Sequence, residues 1–349
     1  MNHLFFPSAA RARALDQRMK TELVKSLRSV CAQVSAQDRD LGHRLARIET
    51  ELCPDLDAQD GPIPPPLYTA YYQLVLALYD SAEQIDDRLE QLLSLPRRLP
   101  PGSPRITDLS VDGLGSQRLL NLYRFALDTD DRLELAFLPP GQAERERTGR
   151  AICRAMRLMN SIDADLAGEF RHLVSQIVLA APGREPGAIR FDGASSYMLW
   201  GALALSVDEE KSDLQMLETL AHESAHSLLF GLTIEEPLVL NDDEELYHSP
   251  LRLDPRPMDG IYHATFVSAR MHYAMHRAST SGVLDAAQLD ECERLLAADR
   301  QAFSDGLSVV SRYGKLSPTG ASILSAAEAY MMAATRTDRQ QSFAELPRP

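Results

Sequence analysis

IRFDGASSYMLWGALALSV, residues 189–207, is where the chain stops reading as helix. Small, aromatic and aliphatic residues follow one another there without a helical cap, which predicts one or two strands. Before it, from about residue 8 to 180, apolar residues recur at three- and four-residue spacing, the mark of successive amphipathic helices. ARALDQRMKTELVKSLRSVCAQV (12–34) carries that period until the Gly61-Pro62-Ile63-Pro64-Pro65-Pro66 break. YTAYYQLVLALYDSAEQIDDRLEQLLSL (68–95) resumes it and stops at Pro96, where LPRRLPPGSPR reads as a loop. Two further helical patterns cover roughly 115–136 and 142–181, the second ending at Ala181-Pro182-Gly183.

After the strand-like stretch comes a charged turn from Asp208 to Asp213, with Asp213 placed to cap a helix. An acidic, proline-bearing loop runs from Thr233 to Pro257, a strongly patterned helix from Asp259 to about Ala278, and two more helices reach about Thr335. The expected fold is therefore α+β, predominantly helical, with a small strand element next to the helix that carries His222 and His226. The expected partition is an N-terminal helical region (1–188), a metal-binding catalytic region (189–336) packed with it as one domain, and a frayed tail (337–349).

Bulk properties exclude several classes. The 349 residues are 44% hydrophobic and 25% charged, an ordinary globular balance, and the formal charge is −14. No basic run is long enough to track a phosphate backbone, so a nucleic-acid partner is not expected. Cys31, Cys53, Cys153 and Cys292 are far apart and form no CxxC pair. The Leu4-Phe5-Phe6 cluster is too short for a signal peptide, and no apolar run approaches a membrane span. These features point to a cytoplasmic protein without a membrane partner; they leave the oligomeric state open.

The chemistry-bearing motif is His222-Glu223-Ser224-Ala225-His226. Two histidines at i and i+4 stand one helical turn apart, so both imidazoles can reach a single ion. Counting about 100° per residue from His222, His226 falls at about 40° and Glu223 at about 100°. Leu217, Leu220, Ala221, Ala225 and Leu228 occupy the opposite sector. The pair thus borders a buried face; a satisfied pair of core histidines would share that pattern.

A third ligand must come from downstream. The acidic candidates are Glu235, Glu236, Asp242, Asp243, Glu244 and Glu245, and the imidazoles are His248, His263, His272 and His276. His263 is the better choice, because Phe266, Val267, Arg270 and Ala274 share its helix face, an apolar wall with one arginine in it. His272 and His276 project the other way and read as surface residues. The acidic run reads as a solvated loop.

HExxH alone suggests a zinc peptidase, with Glu223 as general base for a metal-bound water. The surrounding sequence is more specific. Gly201-Ala202-Leu203-Ala204-Leu205-Ser206, LETLAHESAHSLL, Tyr247-His248-Ser249-Pro250-Leu251-Arg252-Leu253-Asp254-Pro255-Arg256-Pro257 and Gly260-Ile261-Tyr262-His263-Ala264 follow in that order. Together they resemble the HEXXH-motif family of 2-oxoglutarate-dependent peptide β-hydroxylases, enzymes of ribosomal peptide natural-product pathways. The resemblance covers roughly 190–280; the helical first half matches in general character only. It implies an iron(II) centre held by His222, His226 and His263, with 2-oxoglutarate and O2 as co-substrates and a precursor peptide as partner. An all-imidazole set departs from the usual two-histidine, one-carboxylate arrangement, so a carboxylate from 242–245 remains the alternative third ligand.

A 2-oxoglutarate chelate leaves its C5 carboxylate to be fixed, and a guanidinium fork suits it. Arg256, stiffened between Pro255 and Pro257, is the first candidate, Arg252 the second and Arg270 a helper; the same arginines would also suit ion pairs with Asp254 or Asp259. Under this reading Glu223 orients a ligand or a bound water rather than acting as a base. Glu218 is a similar candidate. The strand at 197–207 is expected to offer an edge to an extended peptide, with Trp200 either lining the cleft or packed in the core. The rival functions are a zinc metallopeptidase and a non-catalytic protein that binds a metal or a peptide.

Overall fold

The computed structural model describes residues 4–80, 82–100, 104–128, 136–185, 190–249 and 254–344, without the side chains of 82 and 337–344. Helix makes up 69% of it and strands form one small sheet and one short pair, so the fold is α+β and predominantly helical. The chain divides into two compact units. One holds residues 9–154 and 167–212, the other 1–8, 155–166 and 213–349.

The first unit begins with α1 (Ala9–Gln37), which buries Leu15, Met19, Leu23, Leu27 and Cys31 at near four-residue intervals. Asp38 then caps α2 (Arg39–Arg47) by accepting from the backbone N–H of Asp40 and Leu41. Helices α3 (Cys53–Asp57), α4 (Pro65–Asp80) and α5 (Ile85–Ser94) follow and lead to strand β1 (Arg105–Asp108). Ser110 caps α6 (Val111–Leu114), and Ser116 caps α7 (Gln117–Leu127). Between them Gly115 takes φ +93°, a left-handed conformation that glycine adopts without a Cβ penalty. Helices α8 (Gln142–Ile162) and α9 (Ala164–Leu173) precede β2 (Gln176–Ala180), β3 (Gly193–Ser195) and β4 (Ala202–Ser206).

The four strands form one sheet in the order β1-β2-β4-β3, with β1, β2 and β4 parallel and β3 antiparallel to β4. Every residue of β2 and β4 is buried. QIVLA and ALALS read as unbroken small and apolar runs because parallel strands are covered on both faces. Tyr123, Leu120 and Leu109 pack on Val178, Ala180, Ala202 and Ala204 to make the core there.

Two sequence expectations are corrected by this sheet. The helical pattern at 142–181 is not one helix: it breaks at Asp163 and becomes β2 after Val174, since IVLA is equally apolar under either period. Within 189–207, β4 pairs with β2 and β3 pairs with β4. And β4 lies between β2 and β3, so it has no edge to offer a peptide. Trp200 is core, 2% exposed, its indole N–H donating to Asp16 Oδ1 at 3.0 Å.

The second unit is built on four long helices, α10 (Asp213–Leu232), α11 (Met258–Ser279), α12 (Ala286–Tyr313) and α13 (Pro318–Ala344). A two-stranded antiparallel pair, β5 (Leu246–Tyr247) and β6 (Arg256–Pro257), delivers the chain into α11. Asp285 and Gln288 form a reciprocal capping box at the start of α12. Helices α11 and α12 meet closely: a Cβ at Gly306 would come within 2.2 Å of Thr265 Oγ1. Residues 4–8 tuck into this unit. Phe5 stacks on Tyr330 (4.8 Å between centroids) and meets Phe266 and Tyr273 edge-on. The short Leu4-Phe5-Phe6 cluster is thus an anchor for the N-terminal segment.

His272 is a further correction. It is fully buried, not a surface residue, with Nδ1 2.9 Å from the Tyr330 hydroxyl. Burial, helped by Arg300 and His276, pushes its pKa down to about 3. On α12, Asp299 is 3% exposed, and its Oδ2 has no hydrogen-bond partner among the described residues. Burial, then the charge of Glu218, pushes this carboxyl up from 3.8 to about 9. A carboxyl raised on folding contributes fully below 3.8 and costs the fold stability progressively as pH climbs from there to about 9. Asp299→Asn is therefore expected to raise stability on the order of 1–3 kcal/mol at pH 7 and to change little at pH 3, below both pKa values, as read by urea denaturation.

All four cysteines are unbridged. Among the described residues no helix is long and apolar enough to cross a membrane.

Candidate metal centre

Helix α10 opens with Asp213 in its first turn, where a carboxylate complements the helix dipole. It buries Leu217, Leu220, Ala221, Ala225 and Leu228, which fixes its rotation and sets His222 and His226 at the border of the apolar face. Pro257 precedes α11, which carries His263 in its second turn.

The structure brings these three imidazoles together. His222 Nε2 lies 3.2 Å from His226 Nε2, and His226 Nδ1 lies 3.1 Å from His263 Nδ1. The His226 and His263 rings are nearly parallel, 18° apart, with centroids 5.4 Å from one another. The cluster runs inward from the rim, since the His222 side chain is 39% exposed and His263 is 7% exposed. Burial drives the His263 pKa down, partly countered by Asp259, whose Oδ1 is 3.9 Å from Nε2. A neutral ring keeps the lone pair that a metal needs.

Two nitrogens about 2.1 Å from one ion, at tetrahedral to octahedral angles, are about 3.0–3.4 Å apart. The His222–His226 spacing fits that chord. His263 meets the opposite nitrogen of His226, so the three rings as placed form a hydrogen-bonded relay in which His226 uses both nitrogens. Among the described residues no group of three or more His, Cys, Asp or Glu side chains is set to hold an ion. The donor set therefore suits an ion at two positions, and the third requires the His263 ring to turn.

Glu223 is buried, 3% exposed, and its Oε1 lies 3.8 Å from His222 Nε2. Sequence reasoning missed three neighbours. Phe230 lies 6.5 Å from the His226 ring and 5.5 Å from the His263 ring. Met271 Sδ lies 3.2 Å from His222 Nδ1, and Asp259 faces His263. Phe230 and Asp259 were findable, because each is four residues from a histidine on the same helix. Met271 had no such signal.

The arginines are placed as follows. Arg256 holds Asp254, Nε to Oδ2 2.7 Å, and a side chain at Gly260 would meet its Cβ at 4.0 Å, so its stem lies against the first turn of α11. Arg252 lies outside the described residues. Arg270 is 2% exposed; it donates to the Phe5 carbonyl at 2.6 Å and lies over the Phe5 ring. The carboxylates of 242–245 are exposed, with Asp242 accepting from the Glu244 N–H and Glu245 from Tyr247. His248 is exposed too.

No protein-family model matches the chain, and no curated protein matches it.

Proposed function

We propose that this chain is an iron(II)- and 2-oxoglutarate-dependent oxygenase that hydroxylates the β-carbon of a residue in a ribosomally made precursor peptide, in a reducing cytoplasm. The observation that carries the reading is the meeting of His263 with the HExxH pair, from a helix that places it 37 residues beyond His226. The SPLRLDPRP–GIYHA segment, by its resemblance to the peptide β-hydroxylases, supports the choice of reaction.

His222 and His226 would hold the metal, with His263 the third ligand after its ring turns. Iron(II), when bound, supplies O2 activation coupled to conversion of 2-oxoglutarate to succinate and CO2. The remaining work falls to the chain. Arg256 would exchange Asp254, a partner that is 49% exposed, for the co-substrate carboxylate. Phe230 gives His226 and His263 an apolar neighbour, and Met271 packs against His222. Glu223, fixed by burial beside His222, orients that ligand.

One observation favours a second reading. A buried carboxylate 3.8 Å from a ligand nitrogen is also where a zinc metallopeptidase keeps its base. Two variants separate the readings in an assay of the co-expressed precursor peptide by mass spectrometry. Under the oxygenase reading Glu223→Gln lowers the gain of one oxygen by less than about tenfold, and Arg256→Ala raises the 2-oxoglutarate requirement by about a hundredfold. Cleavage of the peptide, abolished by Glu223→Gln and indifferent to Arg256→Ala, would establish the peptidase instead.

A further inference from the structure

We infer that the N-terminal unit carries a binding site of its own for a carboxylate on an apolar body. A cavity of about 250 Å³ opens among Pro64, Pro66, Leu95, Leu99, Leu114 and Leu119. Prolines and leucines make its walls stiff and apolar, which lowers the ordering cost of binding. Its volume exceeds that of an engineered cavity of roughly 150 Å³ that accepts benzene. There is room for an aromatic ring with a short chain.

The polar side chains lining this cavity, Arg98, Arg105, Tyr123 and Gln176, offer donors, and the amide acceptor, Gln176 Oε1, is already satisfied. Tyr123 and Gln176 line it, 1% and 5% exposed. The Tyr123 hydroxyl donates to Gln176 Oε1 at 2.5 Å, which fixes the amide and leaves its NH2 without a protein partner among the described residues. Arg98 and Arg105 also line the cavity, and neither forms an ion pair among the described residues. Acids outnumber bases by 50 to 36. Arg28, Arg44, Arg47 and Arg118 of the same unit each hold a carboxylate. Two arginines left without acids, beside a buried amide donor and an apolar hollow, match a ligand with one anionic end and one greasy end. A smaller cavity of about 60 Å³ shares Leu99, Pro100 and Arg105 with it and is lined also by Arg171.

The ligand is either a free small acid or an acidic residue with an apolar neighbour in a peptide; the recognition chemistry is shared. The test is isothermal titration calorimetry on the full-length protein with 3-phenylpropionate, its amide 3-phenylpropionamide, and the peptide acetyl-Leu-Phe-Glu-amide against its Gln counterpart. At least one acid should bind tenfold or more tightly than its neutral partner. Arg98→Met and Arg105→Met, both at exposed positions and so expected to fold, should each weaken the acid at least fivefold and leave the neutral probe unchanged. Arg256→Ala should leave the acid unaffected, which separates this site from the co-substrate clamp. Binding of the free acid assigns a small-molecule site, and binding of the peptide alone assigns a peptide subsite. Equal affinity for acid and amide, no binding by any probe, or loss of binding in Arg256→Ala but not in the other two variants would overturn the inference.

Discussion

His226→Ala is expected to weaken metal binding and turnover on the order of a thousandfold, the largest functional effect of any single change in this chain. His226 stands between the other two rings, Nε2 toward His222 and Nδ1 toward His263. Its loss removes one donor of the 3.2 Å pair and also the ring against which His263 is held. A lone histidine on one helix then faces a lone histidine on another, and neither can chelate. The fold should survive, because α10 is anchored by its buried leucines rather than by this partly exposed ring. Iron(II) titration with circular dichroism as the folding control checks both halves. Unchanged metal affinity in a folded variant would show that the ion, if bound, sits elsewhere.

Arg270→Ala is the change expected to cost most in stability, roughly 3–5 kcal/mol and a midpoint lowered by roughly 6–15 °C. The guanidinium is 2% exposed and donates to the Phe5 carbonyl at 2.6 Å. Truncation leaves that carbonyl without its donor, opens a void in the interior, and loosens Phe5 from Tyr330, Phe266 and Tyr273. Thermal unfolding followed by circular dichroism reads the effect. Had Arg270 served the co-substrate instead, the variant would keep its midpoint and require more 2-oxoglutarate; a normal melting curve with a raised requirement would return it to that role.

Where periodicity was unambiguous, sequence reading located the elements: HExxH on a helix, His263 on a second, and strands within 189–207. Helix rotation could be read too, since the buried leucines of α10 fix where its histidines stand. What failed has common physical causes. IVLA in β2 is a continuous apolar run, and a strand covered on both faces carries no alternation to distinguish it from buried helix. Strand order is a non-local property, so nothing in ALALS says that it sits inside the sheet rather than at an edge. His272 read as surface because its partner, Tyr330, is 58 residues away. Arg270 likewise binds a carbonyl 265 residues distant. Such pairings arise only in three dimensions. The acidic run at 242–245 was read as a solvated loop from its charge density, and its carboxylates are exposed. Ring orientation lies beyond any pattern: spacing places His226 and His263 on facing helices but does not say which nitrogens meet.

Three imidazoles are proposed to gather a metal competent for 2-oxoglutarate. Anaerobic addition of iron(II) and then 2-oxoglutarate to the protein, followed by visible absorption, tests it most directly. A charge-transfer band should appear only with both additions and be lost in His222→Ala and His263→Ala. A protein that takes up iron(II) yet shows no band with 2-oxoglutarate, or one whose band persists without His263, would contradict it.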